Sequence, residues 1–340
     1  MDAGLLGKDI HLGRGCSVCH KGNGDAQDKD EAHKGMVKRP SDDLETCGKC
    51  HGKISATYGT SLHYTTLGQR QGVIGRFSKE ETVLFDKEVF EQSCRSCHAS
   101  CGDCHVKSPP VSGISLGLIA GHAFVKKDEG KTCAFCHGGR VYPEYVGEYG
   151  GATDVHYQKG MMCLDCHKAS EMHGDGQRYM SKQEVRQRPR CVGCHDPLKS
   201  EKVRTQVAHT LHRDKASCHA CHAAGQYRDC QSCHLGTGAT SKPAFTLGKN
   251  PRNPKELTTL RLIPTVRDTF AKAGITMEKY DALPNYWNTP AHTIRKRTDR
   301  TRDCDACHAD RKNFLAREML AKEGSKANAG LIMVPRPLNR

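Results

Sequence analysis

One five-residue word, Cys-x-x-Cys-His, constrains this chain more than any other feature, because every cysteine present belongs to it. It occurs as CSVCH (Cys16, Cys19, His20), CGKCH (Cys47, Cys50, His51), CRSCH (Cys94, Cys97, His98), CGDCH (Cys101, Cys104, His105) and CAFCH (Cys133, Cys136, His137). It recurs as CLDCH (Cys163, Cys166, His167), CVGCH (Cys191, Cys194, His195), CHACH (Cys218, Cys221, His222), CQSCH (Cys230, Cys233, His234) and CDACH (Cys304, Cys307, His308). Ten copies consume all 20 cysteines. Successive first cysteines stand 31, 47, 7, 32, 30, 28, 27, 12 and 74 residues apart. Motifs three and four merge into CRSCHASCGDCH, with only Ala99 and Ser100 between them.

The repeated spacing selects among the uses of cysteine. A disulfide framework shows varied intervals, and a thioredoxin-like Cys-x-x-Cys normally occurs once, near a βαβ pattern. Zinc sites use Cys-x-x-Cys pairs without requiring His directly after the second thiol. The word found here is the attachment signature of c-type haem. Its two thiols add to the porphyrin vinyl groups and its histidine ligates the iron from the proximal side. Ten such words predict ten c-type haems, with His20, His51, His98, His105, His137, His167, His195, His222, His234 and His308 as proximal ligands.

Half of the 20 histidines lie outside the motifs: His11, His33, His63, His122, His156, His173, His209, His212, His219 and His292. The spare number equals the number of motifs, which predicts ten bis-histidine irons with no open position for substrate. His219, inside the CHACH loop, would have to reach a neighbouring haem. Met161, Met162 and Met172 are alternative ligands by position, although a methionine in such a chain more often packs.

Repeated Cys-x-x-Cys-His units with a matching stock of spare histidines resemble the multihaem c-type cytochromes, including envelope and extracellular electron-conduit cytochromes, some of which form filaments. The resemblance runs through the motifs from residue 16 to 308. It implies an electron carrier rather than an enzyme. Multihaem nitrite reductases typically put a lysine in place of one motif histidine, and all ten motifs here end in His. A terminal reductase of nitrite or sulfur-oxyanion type, with one open haem, is the alternative. Tyr142, Tyr145, Tyr149 and Tyr157 could offer a tyrosine–haem cross-link of the hydroxylamine-oxidising kind, but aromatic packing against haem edges is the reading adopted.

Composition fits an interior not made of side chains alone. Hydrophobic residues make up 36% of the chain and the mean hydropathy is −0.67, low for a chain that must bury a side-chain core. One haem for every 34 residues leaves too little polypeptide to wrap each separately, so haems should share walls and supply the apolar core. The expected fold is mainly coil with short α-helices, little or no β-sheet and a haem-dominated core, an elongated multihaem cytochrome c array.

The expected organisation is a nine-haem array over 1–234, a haem-free lobe over 235–303, and the tenth haem with a C-terminal helix and tail over 304–340. A break near 150 would suit a weak five-haem repeat. The lobe begins as a Gly/Pro/Asn-rich loop and should return His292 to a haem or serve as a docking surface. DRKNFLAREMLAKEG should form a short amphipathic helix with Phe314, Leu315 and Met319 on one side.

No segment has the 18 or so apolar residues of a membrane span; Val111–Val125 is shorter and contains His122. Haem c is attached outside the cytoplasm, so a signal peptide is presumed removed and an extracytoplasmic location, periplasmic or at the cell surface, follows. No cysteine is left for a lipid anchor. The formal charge of +14 falls to about +4 once ten ferric bis-His haems contribute roughly −1 each, so nucleic-acid binding is not expected. Expected partners are redox-protein donors and acceptors, extracellular electron acceptors, and further copies of the chain in a homopolymer filament through its ends.

Overall fold

The computed structural model describes residues 10–107, 110–111, 114–115, 123–124, 130–148, 153–199, 202–224, 244–263 and 265–338. Motif nine (Cys230, Cys233, His234), His122 and most of Val111–Val125 lie outside them.

The chain is mainly coil carrying short helices. Most of the described motifs wind into about one turn of helix. Cys16–His20, Cys101–His105 and Cys218–His222 are five-residue α-helices, and Cys191–Gly193 is a 3-10 turn. A single turn suits the word, because positions i, i+3 and i+4 share one helix face. Motif two opens the longest described helix, Leu44–Tyr58, capped by the Asp43 carboxylate, and the backbone leaves helical geometry at His51 (φ −110°, ψ 42°). His51 thus marks a kink where the motif ends.

The chain divides into two compact units. One comprises Met1–Gly68, Cys97–Cys133 and His167–Arg188; the other comprises Gln69–Ser96, Ala134–Cys166 and Pro189–Arg340.

In the first unit, Arg39 pairs with Asp103 at 3.1 Å and Ser41 Oγ lies 2.9 Å from Ser100 Oγ. These contacts hold motif four against the turn that precedes motif two. The Tyr58 hydroxyl donates to the Ala99 carbonyl, and the Ala99 N–H donates to the His63 carbonyl at 2.8 Å.

In the second unit, side chains build a core of the ordinary kind. Ser78 and Glu81 form a capping box that starts the Lys79–Phe85 helix,. A π-helical turn, Asp86–Phe90, follows, and its wider winding keeps Phe85 and Phe90 on one side with ring centres 6.3 Å apart,. These rings close with Phe77, Ile275, Met277 and Tyr280 into a buried cluster. Arg76, 1% exposed, donates to the Leu283 and Pro284 carbonyls at 3.1 and 2.7 Å.

The interval expected to be a haem-free lobe holds a three-stranded antiparallel sheet, Thr246–Asn250, Asn253–Leu262 and Tyr286–Asn288 in that order. Its Thr, Leu, Trp and Tyr content suits a pleated, half-buried surface. Leu260 pairs with Asn288 and Leu262 with Tyr286. Gly248 lies where a Cβ would come within 2.6 Å of Leu260 Cδ1 and 2.8 Å of the Leu331 carbonyl oxygen, so only glycine fits.

The amphipathic helix expected over residues 310–324 does not form. Only Arg317–Met319 winds, as a 3-10 turn. Phe314 and Leu315 run extended along the sheet edge: Leu247 N–H donates to the Asn313 carbonyl and Leu315 N–H to the Leu247 carbonyl, at 2.7 and 2.8 Å. Pairing with an open strand edge satisfies the backbone there and buries both side chains, which overrides helical periodicity. Leu331 from the tail completes a cluster with Leu260, Tyr286 and Leu315.

Among the described residues no helix is long and apolar enough to cross a membrane.

Candidate functional site

Ring positions sort the histidines. Five spare histidines each face one motif histidine: His11 faces His51 at 6.1 Å between ring centres, His173 faces His105 at 6.0 Å, and His156 faces His195 at 5.9 Å. His209 faces His222 at 6.2 Å and His212 faces His308 at 6.0 Å. Two imidazoles bonded from opposite sides to one metal ion, at about 2 Å each, hold their ring centres roughly 6 Å apart.

Hydrogen bonds on the other ring nitrogen set the tautomer. His20 Nδ1 donates to the Val37 carbonyl (2.7 Å), His222 Nδ1 to Arg295 (3.0 Å) and His308 Nδ1 to Arg336 (2.6 Å). Among the spare set, His33 Nδ1 donates to the Lys29 carbonyl (2.6 Å) and His212 Nδ1 to Ala208 (2.7 Å). Carboxylates do the same work for His156, through Asp154 at 2.9 Å, and for His167, through Glu171 at 2.9 Å. An Nδ1 that donates to an oxygen leaves the Nε2 lone pair for a metal, and such partners also fix the ring's orientation.

The remaining candidates are placed less fully. His63 is held below the ordinary imidazole value by burial, with Glu171 opposing and His167 and His173 close enough to push the same way as burial. Burial, then the neighbouring His105, lowers His173. Each shift favours the neutral ring that a metal ligand requires. His292 sits where its backbone N–H donates to Glu144 at 2.9 Å, while Arg140 reaches the Pro290 carbonyl at 3.4 Å, bringing this segment to the helix that follows His137. His219 lies within the Cys218–His222 helix. Among the described residues His33 makes no ring contact with a motif histidine. The ring of His98 tilts against Tyr64 at 5.2 Å. Tyr145 packs on Tyr157 at 5.5 Å and donates to the Met161 carbonyl at 2.8 Å.

Thiols of different motifs meet. In the first unit Cys47 hydrogen-bonds Cys101, which pulls the Cys101 thiol down to about 7 and pushes that of Cys47 up. Burial raises the Cys19 thiol, with Cys47 and Cys50 nearby adding to the rise. Motif two therefore stands beside motif four, 54 residues later in the chain, and motif one stands beside motif two. In the second unit Cys191 hydrogen-bonds Cys218 in the same manner, and the Cys218 thiol falls to about 6.

These residues fit c-type haem on their own geometry. Paired thiols and a histidine share one helix face in the helical motifs, and five opposed imidazole pairs have the spacing of axial ligands. Among the described residues no three His, Cys, Asp or Glu side chains gather as a bare-ion site would need.

Sequence reasoning missed the groups that orient the rings. Glu171 was readable, four residues after His167 on one helix face. Asp154, two residues before His156 and 2% exposed, was a weaker signal. The Val37, Arg295 and Arg336 carbonyls carried no signal, since any residue supplies one.

A family model described as Cytochrome c3 matches residues 155–242, the stretch holding motifs six to nine. No curated protein and no solved structure gives a significant match. The family match supports a multihaem c-type cytochrome, with c-type haem as cofactor and electron transfer as its work.

Proposed function

We propose that this chain is an extracytoplasmic electron conduit that binds ten c-type haems, each with two axial histidines, and passes electrons over a long range. The observation that carries this reading is the set of five motif-to-spare histidine pairs, each about 6 Å between ring centres. Each haem when bound supplies one-electron exchange at iron. In each of the five pairs the motif histidine and its spare partner would together hold the group, and with both rings committed to it they would leave no position there for a substrate. Bis-His ligation lacks the axial Met that raises potentials, so the set should be low-potential. The thiol contacts between motifs support close spacing of the sites.

Assembly into a filament through the first and last motifs is part of the proposal. It is supported by an exposed apolar side chain beside the last motif: Val334, close to the Arg336 carbonyl that orients His308, is 58% exposed. Partners are redox proteins or extracellular acceptors.

Electron paramagnetic resonance of the oxidised holoprotein tests the ligation. Low-spin ferric signals alone, unchanged by nitrite or cyanide, are expected; a substantial high-spin signal that binds either would redirect the reading to a terminal reductase. Imaging of concentrated protein tests assembly, with dispersed monomers counting against a filament.

A further inference from the structure

Motifs eight and ten lie 86 residues apart in the chain, yet three contacts bring them together. The Val203–His212 helix carries His209 and His212 three residues apart, hence on one face, and they meet the histidines of two different motifs, His222 and His308,. Arg300 donates to the Ala220 and Ala223 carbonyls at the end of the motif-eight helix, and its charge acts on both Cys221 and Cys307. Ala220, inside motif eight, is 1% exposed and packs with Leu247 and Phe314, against which Cys307 also rests. The sheet holds this arrangement from outside, since Ser217 N–H donates to the Leu257 carbonyl and Leu257 N–H to Lys215, at 2.8 and 2.7 Å.

Resting on the haem reading above, we propose that the Val203–His212 helix is a two-site clamp: His209 supplies the sixth ligand at motif eight and His212 at motif ten, making these two haems immediate neighbours. The sheet and tail are what fold the last motif back to the eighth, so the lobe has a wiring role.

The test is a pair of single variants and their combination in the holoprotein. His209→Ala and His212→Ala should each keep the wild-type content of covalent haem and each convert one haem equivalent per chain from low-spin to high-spin ferric. In the double variant the two high-spin irons, being neighbours, should broaden each other by dipolar coupling, so the signal falls clearly below the sum of the singles. Strict additivity would overturn the adjacency, and unchanged low-spin spectra with full haem content would overturn the ligand assignment. If the alanine variants fail to accumulate, His209→Met and His212→Met decide: each should raise the midpoint potential of one haem, and no shift overturns the assignment. Wild-type protein without covalent haem would instead sink the haem reading itself.

Discussion

Two kinds of region differ in what they bury. None of residues 10–57 is buried, and neither is any described residue between 155 and 219; these stretches carry motifs one, two, six and seven and the start of eight. Phe77, Phe85, Ile275 and Tyr280 in one cluster, and Leu260, Tyr286, Leu315 and Leu331 in another, are nearly or wholly buried. They come from intervals that hold no motif. Where haem supplies the apolar surface, the chain needs only one-turn helices that present two thiols and a ring. Where it does not, the chain must build a side-chain core, with capped helices, a sheet and volume-matched aromatics.

The largest effect that would sharpen this contrast is haem removal. Protein made without haem attachment should lose amide protection over 10–57 and 155–219, while the Leu247 and Leu260 strands exchange more slowly; hydrogen exchange measures both, and uniform protection would break the comparison. Next, Phe85→Ala should cost about 3–5 kcal/mol in denaturant unfolding of the motif-free core, with the haem spectrum unchanged.

Glu81→Gln should cost about 2 kcal/mol at neutral pH, because Glu81 accepts from Ser78, Thr276 and Glu278 N–H groups,. Burial opposes its charge, but those backbone bonds win and hold the carboxyl below its ordinary value. A depressed folded value means the stability is full above the unfolded value and is lost as pH falls through the folded one. The wild-type advantage should therefore persist at pH 7 and shrink below about pH 4.

The smallest effect concerns a single ring. Asp154→Asn weakens the acceptor for His156 Nδ1 and should raise one haem's midpoint potential by no more than about 60 mV, a tenfold change for a one-electron couple. Redox titration reads it, and an unchanged potential would argue that His156 is no ligand.

The one-turn winding of the Cys-x-x-Cys-His motifs and the predominance of coil with short helices were legible in the sequence, because the motif is a local word that spans about one turn of chain. So was the stock of spare histidines. The core around Phe85 is only half-displayed by the sequence: Ser78-x-x-Glu81 ahead of Phe85 and Phe90 is a readable helix start, but the partners Ile275, Met277 and Tyr280 lie far along the chain,. The helix expected around Phe314 and Leu315 was misjudged, because its apolar spacing also suits a strand edge that the sequence does not display.

The number of motifs, and a stock of spare imidazoles equal to it, can be read directly from the linear chain. Which ring meets which follows from the packing of the folded chain. His209 and His212 are three residues apart yet face motifs eight and ten, and Cys47 meets Cys101 across 54 residues. Such contacts are set by how the chain returns through turns, a sheet and backbone hydrogen bonds. Pairing across long separations depends on the closure of all intervening segments together, which no local pattern encodes.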